Sequence, residues 1–276
     1  MQSGLLQGSS VSALHIYVDG IGLYGPGLSG WSQGCEVLTG RTALTLAPPQ
    51  LPPIESLPPA ERRRVGILIK LSMAIGFEAA RHAGADPAQL ATVFSSTEGD
   101  CDNCHAILET LASDDRAVSP TRFHNSVHNA PSGYWSIATA CMESSTSLCA
   151  YDATFAAGLL EATTQALFSG KPRLLLAYDT AYPEPLYTLR PIPYALGVAM
   201  VLNPVKTPAA RASLTLTLSD SVATTMPETD MEALRTSIPA ARSLPLLQLL
   251  AKGAVGSVVI EYLDSLNLAI GCSYDS

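Results

Sequence analysis

Residues 123–180 read FHNSVHNAPSGYWSIATACMESSTSLCAYDATFAAGLLEATTQALFSGKPRLLLAYDT. A polar loop around 123–133 leads through a mixed stretch to residues 145–151, whose short side chains and closing Leu-Cys-Ala-Tyr suit a strand. Residues 153–168 then run Ala-, Leu- and Phe-rich at helical spacing, and residues 174–178 form a short unbroken apolar run of the kind found in strands buried on both faces. Strand, sharp turn, long helix and buried strand make a β-α-β unit, the building block of a layered α/β fold.

The flanking sequence extends the same pattern. Upstream, residues 13–18 alternate as a strand and run into a glycine-rich turn, GIGLYGPG. Residues 38–59 are proline-rich, and PPQLPPIESLPP reads as an extended linker wrapping the surface. Pro58 and Pro59 sit where a helix tolerates them, and Val65, Leu68, Ile69, Ser72, Ile75 and Ala79 follow at helical spacing through about residue 83. Residues 90–94 form a short strand, SSTEGD a turn, and 102–111 a well-capped helix. Downstream, a Tyr/Pro-rich loop at 182–193 precedes a strand at 197–202. The tail differs: 212–218 alternates Leu and Thr, 231–252 is an interrupted helix, and 257–263 and 268–273 are strands joined by a tight turn at 264–267. Two parts are therefore expected, 1–208 and a reduced β-α-β-β unit at 209–276 packed on the same domain.

Composition bounds the function. The 276 residues are 47% hydrophobic and 14% charged, which fills a core and excludes disorder. The longest apolar stretch, 65–77, is broken by Lys70 and falls short of the roughly 20 residues a membrane span needs. The first fifteen residues lack a basic leader or long apolar run, so a cytoplasmic location is expected, with its six cysteines reduced. A net charge of −8 repels a phosphate backbone and sets nucleic acid aside as partner. Gly20, Gly22 and Gly25 spell GxGxxG after a strand, but no helix follows to receive a pyrophosphate, so a tight turn is the better reading and no cofactor is expected. Cys101 and Cys104, with His105 adjacent, lack a fourth ligand, so no metal is expected. Arg62, Arg63 and Arg64 form the only basic run, a solvated helix face or a landing place for an acidic partner.

The stretch at 123–180 resembles the nucleophile region of the β-ketoacyl-ACP synthases of the thiolase superfamily, with an Asn-rich lead-in, a strand ending in a sharp elbow, a buried helix and a strand. YVDGIGLYGPG (17–27), TVFSSTEGD (92–100) and GVAMVLNP (197–204) resemble further blocks of that family in the same order. The resemblance spans residues 13–205. It implies a thiolase-like layered α/β/α sheet whose C-terminal half is truncated. It is nearest to the short N-terminal-domain-like members of aryl polyene type pathways, chain-length-factor-like partners of a full synthase.

A condensing synthase needs an activated thiolate at the elbow and two histidines from its C-terminal half. Here the five histidines are His15, His82, His105, His124 and His128, all in the first half. Aligning Gly133 and Ser136 with the family puts Asp152 at the nucleophile position, where it is expected to cap the helix beginning at Ala153. A rival alignment places Cys141, in ATAC, at that position; Cys149 is expected to lie buried in mid-strand. By resemblance, Phe123, Ser126, Val127 and His128 line an acyl tunnel, and Ser145, Ser147, Leu148, Cys149 and Tyr151 form a strand that pairs across a dimer axis. Arg62, Arg63 and Arg64 would dock acyl carrier protein. The expected role is a non-condensing subunit that pairs with a synthase, shapes the tunnel, and forms a homodimer when alone. The alternatives are a thiol acyltransferase or hydrolase using Cys141 or Cys149, and a homodimeric scaffold that binds acyl carrier protein.

Overall fold

The structure, a computed structural model, describes residues 13–274; most of the segment expected to lack a leader, residues 1–12, lies outside the described residues. The chain opens with β1 (Leu14–Gly25), β2 (Leu28–Ser29) and α1 (Trp31–Leu38), then crosses the proline-rich segment to α2 (Pro59–Arg62) and α3 (Ile67–Ala83). Next come β3 (Ala91–Ser95), α4 (Cys101–Ala112), α5 (Pro120–Asn125), α6 (Ala130–Thr139) and β4 (Ser145–Leu148). α7 (Thr154–Ser169), β5 (Arg173–Asp179), α8 (Leu186–Leu189) and β6 (Leu196–Asn203) complete the first part. The tail supplies β7 (Ala212–Ser219), α9 (Thr229–Ser237), α10 (Leu244–Lys252), β8 (Gly256–Ile260) and β9 (Asn267–Ser273), with a 3₁₀ turn at Pro239–Ser243 between the helices.

Among the described residues the strands form one mixed sheet in the order β4-β3-β5-β6-β1-β7-β9-β8. β3 runs parallel to β4 and β5, whereas β6 is antiparallel to both β5 and β1. The tail strand β7 joins antiparallel to the first half of β1, so the reduced unit extends the same sheet. Helices cover both faces. On one, Phe155 and Leu159 of α7 pack with Trp31 of α1, Leu234 of α9 and Leu247 of α10. On the other, Ile69 and Ile75 of α3 pack with Tyr134 and Trp135 of α6. These are the three layers expected, and the tail supplies one strand, two helices and two further strands.

Several local expectations are corrected. Gly20 and Gly22 make no turn and lie inside the long strand β1, while Gly25 ends that strand and pairs with Leu28 across a turn at 26–27. The role of Gly20 and Gly22 is close approach, since a Cβ on Gly20 would stand 2.1 Å from the Ala79 carbonyl oxygen and one on Gly22 2.0 Å from that of Ile75. Missing side chains thus seat α3 directly on the sheet. The lead-in at 123–133 is only partly loop, a turn at 126–129 between α5 and α6: Ser119 caps α5 through the Arg122 N–H, and Pro120 and Pro131 occupy first-turn positions where no N–H is needed. The strand expected over 145–151 ends at Leu148, because the backbone turns sharply at Tyr151. The proline-rich segment wraps the surface but is anchored, with Ile54 and Leu57 buried against α3.

Candidate functional site

β4 is an outer strand bonded on one side only, to β3. Three residues beyond its end the chain reverses at Tyr151, a non-glycine residue at φ 52°, and enters α7 through a 3₁₀ turn over Tyr151–Ala153. Left-handed backbone costs a bulky residue about 1–2 kcal/mol, and it is held there by its surroundings. The Tyr151 carbonyl accepts from Thr97 Oγ1 at 3.0 Å and from Thr154 Oγ1 at 2.5 Å, while Ala153 N–H donates to the Ala150 carbonyl at 2.9 Å. This is the sharp elbow between strand and buried helix.

Asp152 does not cap α7, which starts without a side-chain cap. Its carboxylate turns instead to two arginines, Arg190 Nη2 at 2.6 Å and Arg242 Nη2 at 3.3 Å. The Arg190 guanidinium also stacks over the Tyr151 ring at 3.6 Å and reaches Glu98 and Thr97 at 3.3 Å. Arg242 continues to Glu261 at 3.2 Å, and Glu261 meets Arg235. Beneath this network lies Asp179, at the end of β5 and almost wholly buried. One of its oxygens accepts from Thr97 N–H at 2.9 Å and the other from Ala240 N–H at 2.7 Å. Burial pushes the Asp179 carboxyl up to about 6 against the pull of those two N–H groups and of Arg190, with Asp152 adding to the rise. Asp152 and Asp179 therefore tie the elbow to the 3₁₀ turn of the C-terminal tail, which carries Ala240 and Arg242.

The cysteines take no part in the contacts of Asp152. Cys141 follows the end of α6 rather than opening a helix as an elbow nucleophile would. Its buried Sγ donates to the Leu90 carbonyl at 3.4 Å. Cys149 is exposed just past β4, not buried in mid-strand as expected. Burial and Glu98 push the Cys101 thiol up to about 12, and burial with Asp100 and Glu98 also raises Cys104. Among the described residues no group of His, Cys, Asp and Glu has the arrangement of a metal site.

The other sequence candidates lie apart from this network. Phe123 and Val127 stand exposed, Ser126 Oγ donates to the Phe123 carbonyl, and the His128 ring bonds to the Ser96 carbonyl at 3.0 Å. Ser126 and His128 are half-buried beside them. Arg62 donates to the Glu55 and Leu57 carbonyls and so pins the proline-rich segment, Arg64 pairs with Glu61, and Arg63 is exposed. Sequence reasoning missed Arg190, Arg242 and Asp179. The available signal was charge out of place: the lone Arg of RPIP, a lone Arg in PAARSLPLL, and an Asp closing the apolar run LLLAY.

The family model described as β-ketoacyl synthase, N-terminal domain, matches residues 31–258. The chain belongs to this family. Among solved structures, the Xenorhabdus doucetiae ketosynthase ApeO in complex with its chain length factor ApeC gives a TM-score of 0.71 at 22% identity, covering 94% of this chain and 99% of that one. The ishigamide ketosynthase/chain length factor gives 0.73 at 12% identity, covering 95% of this chain and 100% of that one. A β-ketoacyl synthase from Burkholderia phymatum STM815 gives 0.65 at 9% identity, covering 95% and 100%. No curated protein matches. The fold is thus the thiolase-like ketosynthase fold, with the Asp152 elbow preceding its buried helix α7. No helix among the described residues is long and apolar enough to cross a membrane.

Proposed function

We propose that this chain is the non-condensing, chain-length-factor-like partner of a β-ketoacyl-ACP synthase in polyene, polyketide or fatty-acid-type elongation. One observation carries the reading: the elbow that would present a nucleophile presents Asp152, its carboxylate neutralised by Arg190 and Arg242. A carboxylate whose two oxygens are both engaged by guanidinium groups is a poor nucleophile. The open edge of β4, with exposed Cys149 and Tyr151 just beyond it, suits pairing with a subunit of the same fold. In this reading Ser145, Ser147, Leu148, Cys149 and Tyr151 form the subunit seam. Phe123 and Val127, exposed on this chain, complete an acyl tunnel shared with the partner, and the basic run containing Arg63 receives acyl carrier protein. Residues 1–208 and 209–276 act as one unit. Without its synthase the chain closes the same edge by forming a homodimer.

The test is affinity purification of the full chain from its native host, followed by elongation assays with malonyl-ACP and an acyl thioester. A full-length ketosynthase should be recovered in a 1:1 complex, and only that complex should elongate. Elongation by this chain alone, or recovery with no ketosynthase, would defeat the reading.

A further inference from the structure

Tyr151 combines properties that a surface tyrosine without a task does not share. It is 61% exposed, yet its backbone is in the left-handed region and its carbonyl is fixed by two hydroxyl donors. Its ring lies on the guanidinium of Arg190, and that guanidinium is itself fixed by Asp152, Glu98 and Thr97. The ring is therefore held in one place while much of its surface stays in water. Exposed aromatic surface gains nothing from water, and strained backbone persists where the surroundings over-determine it, commonly at ligand clamps and contact points. The open edge of β4 is three residues away, with Met142 exposed before the strand. Tyrosine and arginine dominate the few residues that carry most of an interface's energy, and a side chain ordered before docking loses little entropy on docking.

We propose that Tyr151 is a preformed anchor for the partner synthase subunit, and that Arg190 is the positioning residue that holds the ring in its docking pose. The inference rests on the proposed function, since it takes the occupant to be a ketosynthase subunit seated along β4. The face of the ring turned from Arg190 meets an apolar depression on that subunit, so the ring carries the contact and the hydroxyl is dispensable. Because Arg190 acts through Tyr151, its removal matters only while the ring is present.

The experiment measures the affinity of the ketosynthase that copurifies with the full chain, with the melting temperature of each variant alone as a folding control. Tyr151→Ala should weaken the complex about 30-fold or more, and Tyr151→Phe by less than about 3-fold. Arg190→Gln should weaken it about 10-fold, and the Tyr151→Ala/Arg190→Gln double variant should be no weaker than Tyr151→Ala alone. If Arg190→Gln does not fold, Arg190→Lys serves, because it keeps the charge but loses the planar stack, and it should weaken binding in the same direction. A Tyr151→Ala complex within about 3-fold of wild type overturns the anchor, and additive losses in the double variant overturn the positioning role. Recovery of no ketosynthase at all overturns the functional reading together with the inference. A wild-type complex indifferent to Tyr151→Ala overturns the inference alone.

Discussion

Asp179 makes stability depend on pH in a direction opposite to that of most carboxylates. Its folded value of about 6 lies above the ordinary 3.8 because the charged form is buried. Below pH 3.8 both states hold the proton and the group's stabilising contribution is fully present. As pH rises toward 6 the unfolded chain releases a proton that the folded chain keeps, so stability falls, and the contribution is lost once the pH passes the folded value. A shift of that size corresponds to roughly 3 kcal/mol in all, of which about 1.3 kcal/mol is lost between pH 5 and pH 7. Asp179→Asn has no proton to titrate there. Urea unfolding of both proteins at pH 5, 6 and 7 should show the advantage of wild type over the variant shrinking by about 1.3 kcal/mol across that range. Subtracting the variant removes other titrating groups, except for the coupling to Arg190 and Asp152, which face Asp179. An advantage that stays constant would refute the assigned shift. One that grows with pH would mean that the Thr97 and Ala240 N–H groups outweigh burial and hold the carboxyl below 3.8.

Further outcomes follow from the same contacts. Gly22→Ala places a Cβ 2.0 Å from the Ile75 carbonyl oxygen and must lift α3, so it should cost about 3 kcal/mol in a denaturant melt, whereas Gly133→Ala, with open space around it, should be neutral or stabilising. An unchanged midpoint for Gly22→Ala would show that the glycine does not seat the helix. Asp152→Asn leaves Arg190 with Glu98 and Arg242 with Glu261, so it should lower stability by only about 1 kcal/mol and leave the turnover of the synthase complex intact; turnover lost beyond the loss of folded protein would give Asp152 a chemical role. Iodoacetamide at pH 8.5, mapped by mass spectrometry, should modify exposed Cys149 in the folded chain and spare buried Cys101 and Cys141 until unfolding. Fast labelling of Cys141 in the folded state would revive the acyltransferase alternative.

What could be read in advance, and what could not, divides by the range of the interactions. The β-α-β unit around α7 and the tail strands were legible because apolar periodicity is a local record of which face is buried, as in the unbroken run of β5 and the alternation of β7. The glycines of β1 were misread because GxGxxG looks the same in a turn and under a helix crossing; only the placement of Ile75 and Ala79 distinguishes the two. The elbow shows the same limit more sharply. An Asp just before a helix reads as a cap, since capping needs only near neighbours, but Arg190 and Arg242 lie 38 and 90 residues downstream and claim the carboxylate with charge. A charge-assisted pair outcompetes a neutral N–H for the same oxygen, so the long-range partner decides the side chain's direction and the cap is forgone. That competition also connects fold to function. The contacts that take Asp152 from the helix end bind the elbow to the C-terminal tail, place Arg190 against the Tyr151 ring, and leave that half-exposed ring just beyond the open strand β4.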